Sequence, residues 1–340
     1  MKRVLTVVFS LMVAAIVLVG CGGKKGGEIT VLGAYHEDMV KKLAEMYEKK
    51  TGIKVHYLRM PTGEATAKLV AEAANPTINV YIGGTVDSHE NLKNQKILTA
   101  YKSPMEADID PVYLDPDGVW KAQYVETLSI GVNLDRWKKD FEPKGIKIPT
   151  TLEELLNPAF KGEIITPDPA TSGTGYTLLS SVLVSMGQTK GWDYMTKFNN
   201  QVAQYTSSGY TPAEKMALGE FAIAVNFLAD QLIVATKGYP VESTVYIDAG
   251  WSMCPVSLVA GSEDNKDAQG FVDFCLTKEA LDELVKIGNV LAVRSDAIAP
   301  KGGKNLSELP INKKYSPIKA AEKKKDEVAK FAKIKNAKKK

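Results

Sequence analysis

The sequence predicts an α/β protein built from two domains. Strand and helix patterns alternate along most of the chain, and this alternation is typical of parallel βαβ units. The chain has 340 residues, and the roughly 320 that follow the N-terminal segment described below exceed what a single core usually organises. We find no internal repeat, and low-complexity sequence is confined to the two termini.

The first unit alternates strand, helix, strand, helix and strand. Residues 28–34 (EITVLGA) predict a strand, and residues 37–52 predict a helix because their apolar residues recur on one face. The segments 53–60 and 78–84 predict two more strands, with a helix at 66–74 between them. This order is that of a parallel βαβαβ unit.

A predicted strand at 125–133 crosses into a second unit, which contains a capping box at Thr151 and Glu154, predicted strands at 163–167 and 220–227, and a predicted helix after Thr174. The chain then runs through two further predicted strands, 240–247 and 254–261, into predicted helices at 268–276 and 278–288.

Polar loops follow the predicted strands of both units. They are 33–38 (GAYHED), 60–66 (MPTGEAT), 83–87 (GGTVD), 167–176 (PDPATSGTGY) and 226–230 (NFLAD). Ligands of open parallel sheets bind beyond the carboxyl ends of the strands. We therefore expect these loops to form the functional site.

The loop 167–176 predicts an anion site at a helix start. Gly173 and Gly175 do not complete a dinucleotide fingerprint, because Leu178 occupies the third glycine position, and no lysine follows to make a Walker motif. Thr174 is the expected N-cap, and free amides at such a terminus attract anions. The alternative is an ordinary glycine-rich turn between a strand and a helix.

A second polar helix start follows Ser207 and Ser208. Thr211 is the expected N-cap there, with Pro212 at the first helical position and Glu214 completing a capping box. The second domain could therefore direct two sets of backbone donors into one cleft.

The N-terminus predicts export and lipid attachment. Residues 1–20 place two cationic residues before a long apolar run, as in signal peptides. The segment LVGC, ending at Cys21, resembles the bacterial lipoprotein box, so 21–27 is expected to be a lipid-anchored flexible tether on the periplasmic face or cell surface. A transmembrane anchor is the alternative.

Charge is distributed unevenly along the chain. Residues 311–340 carry twelve lysines and only three acidic residues, whereas the rest of the mature chain is acidic. A basic terminal run is not a shaped binding face, so nucleic acid is not an expected partner. The tail predicts a solvated, frayed terminal helix, with contact to anionic lipid headgroups as the alternative.

The sequence offers no catalytic or metal-binding motif. The segment 107–112 (ADIDPV) lacks the threonine of haloacid-dehalogenase phosphatases, no Gly-x-Ser-x-Gly elbow occurs, and the three histidines have no metal-ligand spacing. We expect no enzyme and no cofactor, with an exported phosphatase as the alternative from another class. The sequence does not decide whether Cys254 and Cys275 form a disulfide or remain two buried free thiols.

The chain resembles the solute-binding proteins of ABC importers, in the group that takes ferric iron, thiamine, aminoethylphosphonate or hexose phosphates. The resemblance is carried by 28–55, 79–104, 157–176, 217–227 and 238–274. It implies a periplasmic binding protein fold of type II-like form, with two hinged lobes. The expected parts are a first lobe of 28–125 with about 240–310, a second lobe of 126–239, and the Lys-rich tail 311–340.

Within that group the residues favour a hexose-phosphate binder. Iron-binding members use a histidine, a glutamate and paired tyrosines, and only His36 matches, so no metal site is expected unless the ligand is iron. The resemblance implies a phosphate held by hydroxyls and amides without lysine or arginine, and Asp230 or Glu126 could hold an ammonium. The expected ligand-binding residues are Tyr35, His36, Thr62, Gly84, Thr85, Ser172, Gly173, Thr174, Ser207, Ser208, Gly209, Tyr210, Asn226, Asp230 and Trp251.

The resemblance also implies the partners. They are a small phosphorylated solute, an ABC permease and its ATPase, and the protein is expected to act as a monomer. Iron, 2-aminoethylphosphonate and thiamine remain the alternative ligands.

Overall fold

The computed structural model describes residues 27–301 and 306–337. The expectations for the signal peptide 1–20, for Cys21 and for most of the tether therefore lie outside the described residues. Among the helices that are described, none combines the length and apolar character needed to cross a membrane.

The described strands are β1 (Glu28–Ala34), β2 (Lys54–Arg59), β3 (Val80–Gly83), β4 (Leu98–Thr99), β5 (Trp120–Asn133), β6 (Ile164–Pro167), β7 (Val202–Thr206), β8 (Ile223–Phe227), β9 (Val241–Thr244), β10 (Trp251–Val259) and β11 (Leu291–Ala292).

The described helices are α1 (Glu37–Thr51), α2 (Thr62–Ala71), α3 (Val86–Asn94), α4 (Leu134–Asp140), α5 (Gly173–Met186), α6 (Gln188–Gln201), α7 (Thr211–Ala217), α8 (Leu228–Thr236), α9 (Lys266–Cys275), α10 (Lys278–Gly288), α11 (Pro317–Ala320) and α12 (Lys324–Ala337). Short 3₁₀ helices are Pro104–Asp108, Pro111–Tyr113, Glu142–Lys144, Glu153–Leu156, Pro158–Phe160, Leu306–Glu308 and Ala321–Lys323.

The first helix shows how the sequence specifies its own structure. Its buried residues, which include Met39, Leu43 and Tyr47, recur on one face and pack on the sheet. Burying one such side chain stabilises the fold by roughly 1.5–3 kcal/mol. Gly52, at φ 73°, ends the helix in the left-handed region that favours glycine.

The strands form two sheets that share one strand. In the first sheet the order β2-β1-β3-β10 continues into the first half of β5, and in the second the last half of β5 continues into β8-β6-β7. Thr127 pairs with Trp251 in the first sheet, and the next residue, Leu128, pairs with Phe227 in the second. The strand β5 therefore crosses from one lobe to the other between Thr127 and Leu128.

Each sheet has its own hydrophobic core. Trp120 and Phe271 belong to the core around the first sheet, and Trp137 and Phe160 belong to the core around the second. The expected α/β fold with two lobes is confirmed. The return crossing lies at 245–250, because β9 still pairs with the second half of β5, a few residues later than the expected boundary near 240.

The expectation of a solvated, frayed C-terminal helix is wrong for the described part of the tail. Tyr315, Ala320 and Phe331 are buried in the core of the second lobe. Phe331 is 1% exposed and contacts the ring of Tyr205 edge-on. Apolar residues spaced among the lysines thus attach the segment to the second lobe, and most of its described lysines are exposed, whereas Lys324 and Lys335 are half-buried in ion pairs.

The two cysteines of the body do not form a disulfide. Cys254 on β10 and Cys275 at the end of α9 are both buried with free thiols. Burial raises the pKa of each thiol, so both stay protonated at neutral pH.

Candidate ligand-binding site

The candidate site is a cleft between the two lobes. Ala34 and Arg59, at the ends of β1 and β2, line it from the first lobe. Ser172, Tyr210 and Asp230 line it from the second. The polar loops that follow the strands of both lobes therefore meet at one place, as expected for parallel sheets.

Three helix N-termini converge on this cleft. The helices α2 and α3 start at Thr62 and just after Thr85, and α5 starts just after Ser172 on the opposite lobe. The backbone N–H of Gly63 donates to the carbonyl oxygen of Thr171 at 2.9 Å and so joins the lobes at the rim. Helix N-termini carry partial positive charge, so their convergence favours an anion.

The N-cap of α5 is Ser172, and the expectation of Thr174 is wrong. Ser172 has extended backbone angles (φ −118°, ψ 131°), and its hydroxyl accepts from the N–H of Gly175 at 3.4 Å. Thr174 is already helical. The amides of Gly173 and Thr174 have no acceptor among the described residues, so they remain available to a ligand.

The second expected N-cap is also displaced. Tyr210 is the N-cap of α7, Thr211 is the first helical residue, and no side chain caps this end. The glycine that precedes Tyr210 nevertheless reaches the site, because a Cβ on Gly209 would lie 3.6 Å from the Ser172 hydroxyl. The turn before α7 therefore packs directly on the start of α5.

Arg59 supplies a cation that the sequence reasoning missed. It ends β2, its Nε donates to the carbonyl oxygen of Tyr35 at 3.1 Å, and its Nη2 donates to the hydroxyl of Ser208 at 3.2 Å. The cleft therefore contains an arginine beside the expected hydroxyls and amides. The position of Arg59 at the end of a strand was the feature of the sequence that could have identified it. Its two hydrogen bonds hold the guanidinium at the cleft.

Two carboxyl groups also line the cleft. Glu126 lies on β5, where the Cys254 thiol donates to its Oε2 at 3.3 Å, and Asp230 lies on α8, where the Asn226 amide donates to its Oδ2 at 3.3 Å. Burial, together with the charge of Asp230, raises the pKa of Glu126 to about 8. Burial raises the pKa of Asp230 to about 7, although Asn226 and Arg59 oppose this. The pair therefore retains a proton at neutral pH.

Two rings meet across the cleft. The ring of His36 contacts that of Tyr210 edge-on, with centroids 4.7 Å apart at 85°. His36 Nδ1 also accepts from the N–H of Asp38 at 3.3 Å and so caps α1. Burial lowers the pKa of His36, which keeps the imidazole neutral at pH 7 and suits it to hydrogen bonding.

The structure brings most of the expected residues to the cleft. Those that line it are Tyr35, His36, Thr62, Gly84, Thr85, Ser172, Thr174, Gly209, Tyr210 and Asp230.

The other expected residues lie behind the lining or away from it. Gly173 packs against Thr85. The Asn226 amide donates hydrogen bonds to Asp230 and, at 3.1 Å, to the carbonyl oxygen of Gly209, and both of these residues line the cleft. Ser208 does not line the cleft, but its hydroxyl accepts a hydrogen bond from Arg59, which does. Contrary to expectation, Ser207 is exposed outside the cleft, and Trp251 sits at the crossing between the lobes, packed against both cores.

The described residues contain no group of three or more histidine, cysteine, aspartate or glutamate side chains placed to hold a metal ion. His36, the candidate ligand if the solute were iron, has Asp38 as its nearest carboxylate, at 3.7 Å.

Two α/β lobes, joined by crossing strands around one polar cleft, define a periplasmic binding protein. The chain belongs to the bacterial extracellular solute-binding protein family, whose profile matches residues 75–324. It is therefore the substrate-binding protein of an ABC importer. Membership implies a permease and an ATPase as partners, a small solute as ligand, and a location in the periplasm or at the cell surface.

Known proteins resemble it along most of their length. An uncharacterized protein of Haemophilus influenzae is 31% identical over 308 residues, which cover 88% of this chain and 86% of that protein. The periplasmic binding protein AfuA of Actinobacillus pleuropneumoniae, solved with fructose-6-phosphate bound, is 30% identical with a TM-score of 0.86, covering 91% of this chain and 99% of that one. Iron-bound HitA of Pseudomonas aeruginosa shares the fold at 18% identity and a TM-score of 0.78, over 90% and 99% of the two chains.

Proposed function

We propose that the cleft captures a small phosphorylated solute, most of all a hexose phosphate, and that the two lobes close on it. The observation that carries the proposal is the convergence of three helix N-termini and Arg59 in a cleft that also contains Glu126 and Asp230. A ligand with an anionic group and several hydroxyls matches both features.

The phosphate would bind where α5 begins. The free amides of Gly173 and Thr174, the hydroxyls of Ser172 and Thr174, and the guanidinium of Arg59 can each donate a hydrogen bond to an anion. Hydrogen bonds to charged groups contribute about 1.5–3 kcal/mol each. Five such bonds contribute about 7–15 kcal/mol in total. Micromolar binding needs roughly 8 kcal/mol after the cost of association, so contacts to the rest of the ligand must contribute as well.

The sugar would face the carboxyl pair. Because the raised pKa values keep a proton on one of the two carboxyl groups at neutral pH, the pair presents both a donor and acceptors, which is what neighbouring hydroxyl groups require. The rings of Tyr35 and Tyr210 also line the cleft and could cover an apolar face of the ring. AfuA, which resembles this chain over nearly its whole length and is solved with fructose-6-phosphate, adds support.

A second candidate is a phosphonate that carries an ammonium group, such as 2-aminoethylphosphonate. The observation that favours it is the same pair, Glu126 and Asp230, because two ionised carboxylates would surround a cation favourably. The two candidate ligands differ in the number of protons that the protein releases when they bind. An ammonium ligand should release a proton from the pair, whereas a sugar phosphate should leave that proton in place, and calorimetry in buffers of different ionisation enthalpy measures the difference.

Iron is less well supported. The ferric-binding neighbours share the fold at less than 20% identity, and the described residues offer no cluster of metal ligands. No contact in the cleft favours thiamine over a sugar phosphate.

Calorimetry with fructose 6-phosphate, fructose and inorganic phosphate tests the proposal. We expect micromolar or tighter binding of fructose 6-phosphate, weak binding of phosphate and none of fructose. Equal binding of fructose and its phosphate would show that no phosphate site exists, and a response to ferric citrate alone would replace the proposal with iron binding.

The membrane attachment is also proposed. Cys21 would carry the lipid, and the glycine-rich residues after it would leave the lobes free to reorient toward the permease. The protein would act as a monomer, since one cleft between two lobes of one chain completes the site.

A further inference from the structure

The C-terminal segment contacts both lobes. We call residues 312–337 the strap. Its residues Tyr315 and Phe331 belong to the second-lobe core, and the hydroxyls of Tyr315 and Ser180 on α5 lie 2.8 Å apart. From this anchorage the strap reaches α3 of the first lobe, against which α11 packs.

In addition to this packing, one ion pair joins the strap to the first lobe. Lys324 Nζ lies 2.7 Å from Asp87 Oδ2, and the Asp87 side chain is only 3% exposed. The same ammonium lies 5.1 Å from the ring centroid of Tyr176 on α5. Lys324 thus contacts one helix from each lobe.

Both of those helices begin at the ligand cleft. Asp87 follows Thr85 by two residues in the first turn of α3, and Tyr176 lies in the first turn of α5, after Ser172. Tyr176 is itself fixed, because its hydroxyl lies 2.6 Å from the Ala320 carbonyl oxygen and 3.0 Å from Glu327 Oε2. The strap therefore lies directly behind the two helix starts that face each other.

The pair has a second consequence for an anionic ligand. An unpaired carboxylate at Asp87 would repel an anion bound beside Thr85 and would weaken the positive field of the α3 N-terminus. Lys324 neutralises that carboxylate where little water reaches it. The field at the cleft then remains positive, although an acidic residue occupies the first turn.

We propose that Lys324 is a positioning residue, which holds α3 and α5 together in the closed arrangement of the lobes and neutralises Asp87 beside the cleft. Removing one partner of a buried charge pair is costly, because the other charge stays buried and unpaired. Opening the lobes lets water reach that charge. The closed arrangement should therefore lose population when a substitution removes the positive charge of Lys324.

The test compares K324M, K324R and the control K325Q, since Lys325 is exposed on the same helix. Methionine keeps the apolar stem over Tyr176 but removes the charge. In purified protein we expect K324M to bind fructose 6-phosphate about tenfold more weakly and to show a larger radius of gyration without ligand. K324R and K325Q should match the wild type in both measurements.

A variant of the other lobe gives an independent check. D87N is nearly isosteric and should also enlarge the ligand-free protein in X-ray scattering, whatever its ligand. If K324M and D87N are as compact as the wild type, or if K324R is as impaired as K324M, the proposal is wrong. Because scattering needs no ligand, failure of the sugar-phosphate assignment would not hide either result.

Discussion

Thr85 of the first lobe and Gly173 of the second pack directly against each other, with no room for another carbon atom between them. A Cβ built on Gly173 would lie 2.9 Å from Thr85 Cγ2 and closer still to its hydroxyl oxygen. The start of α3 and the start of α5 can approach this closely only because position 173 lacks a side chain. This contact limits how closely the two helix N-termini can approach each other.

We expect G173A to prevent full closure. The added methyl group meets Thr85, whose short β-branched side chain cannot move far, so the lobes must stay slightly apart. Affinity for fructose 6-phosphate should fall at least tenfold, and scattering should show no compaction on ligand addition. The double variant T85A/G173A removes the opposing atoms and should recover compaction. If G173A alone closes normally, the contact does not limit closure.

Arg59 should contribute to phosphate binding through its charge and its geometry. Replacing it in R59M removes a charge-assisted hydrogen bond, and we expect a loss of about 2–3 kcal/mol in the binding of fructose 6-phosphate. R59K keeps the charge but cannot bond both the Tyr35 carbonyl oxygen and the Ser208 hydroxyl, so its loss should be intermediate. Titration calorimetry measures both. Equal affinity of R59M and wild type would place the anion elsewhere.

The hydroxyls at the start of α5 should matter for the phosphate more than for the sugar. Replacing Ser172 and Thr174 together with alanine should weaken fructose 6-phosphate by about 2–4 kcal/mol, since each hydroxyl donates to an anion. Loss of the Ser172 cap should also lower stability by about 1 kcal/mol, which thermal unfolding measures separately. The matched control is S207A, outside the cleft. If the double variant binds with unchanged affinity, the loop 167–176 is only a turn between a strand and a helix and does not hold the phosphate.

The carboxyl pair should make ligand-free stability depend on pH. The folded pKa values, about 8 for Glu126 and about 7 for Asp230, exceed the unfolded values of about 4. The folded state therefore binds more protons within this window, and stability falls as pH rises through it. In thermal unfolding between pH 5 and pH 8, the wild type should lose more stability than E126Q. Parallel curves would contradict the raised pKa.

Lipid attachment can be separated from ligand binding. C21A should abolish acylation and impair uptake in cells, while the purified protein keeps its affinity for the ligand, because Cys21 precedes the first strand. Membrane fractionation and calorimetry measure the two effects. If the unlipidated protein stays equally membrane-bound, the assignment of residues 1–27 as signal and tether is wrong.

Regular periodicity made the elements of the fold predictable. The strand expected at 28–34 is β1, and the helix expected at 37–52 ends at Thr51 with Gly52 as its cap. Both follow from local patterns of apolar residues and glycine. The crossing between lobes was placed less well, because β9 and β10 belong to different sheets although few residues separate them.

The site was predictable in its loops but not in its charges. Loop positions follow from strand ends, whereas the direction of a side chain depends on contacts made across the cleft. Arg59 was missed because its partner Ser208 is distant in sequence, and Trp251 was misplaced because an aromatic residue suits a core as well as a sugar face. In the tail, the many lysines led to the prediction of a solvated helix, and the burial of Tyr315 and Phe331, which anchor the strap, was missed.

A crystal structure of the protein with fructose 6-phosphate tests the central claim most directly. We predict phosphate oxygens within hydrogen-bond distance of the Gly173 and Thr174 amides and of Arg59, with sugar hydroxyls directed at Glu126 and Asp230. A phosphate bound away from the start of α5, or a metal ion in the cleft beside His36, would contradict the account.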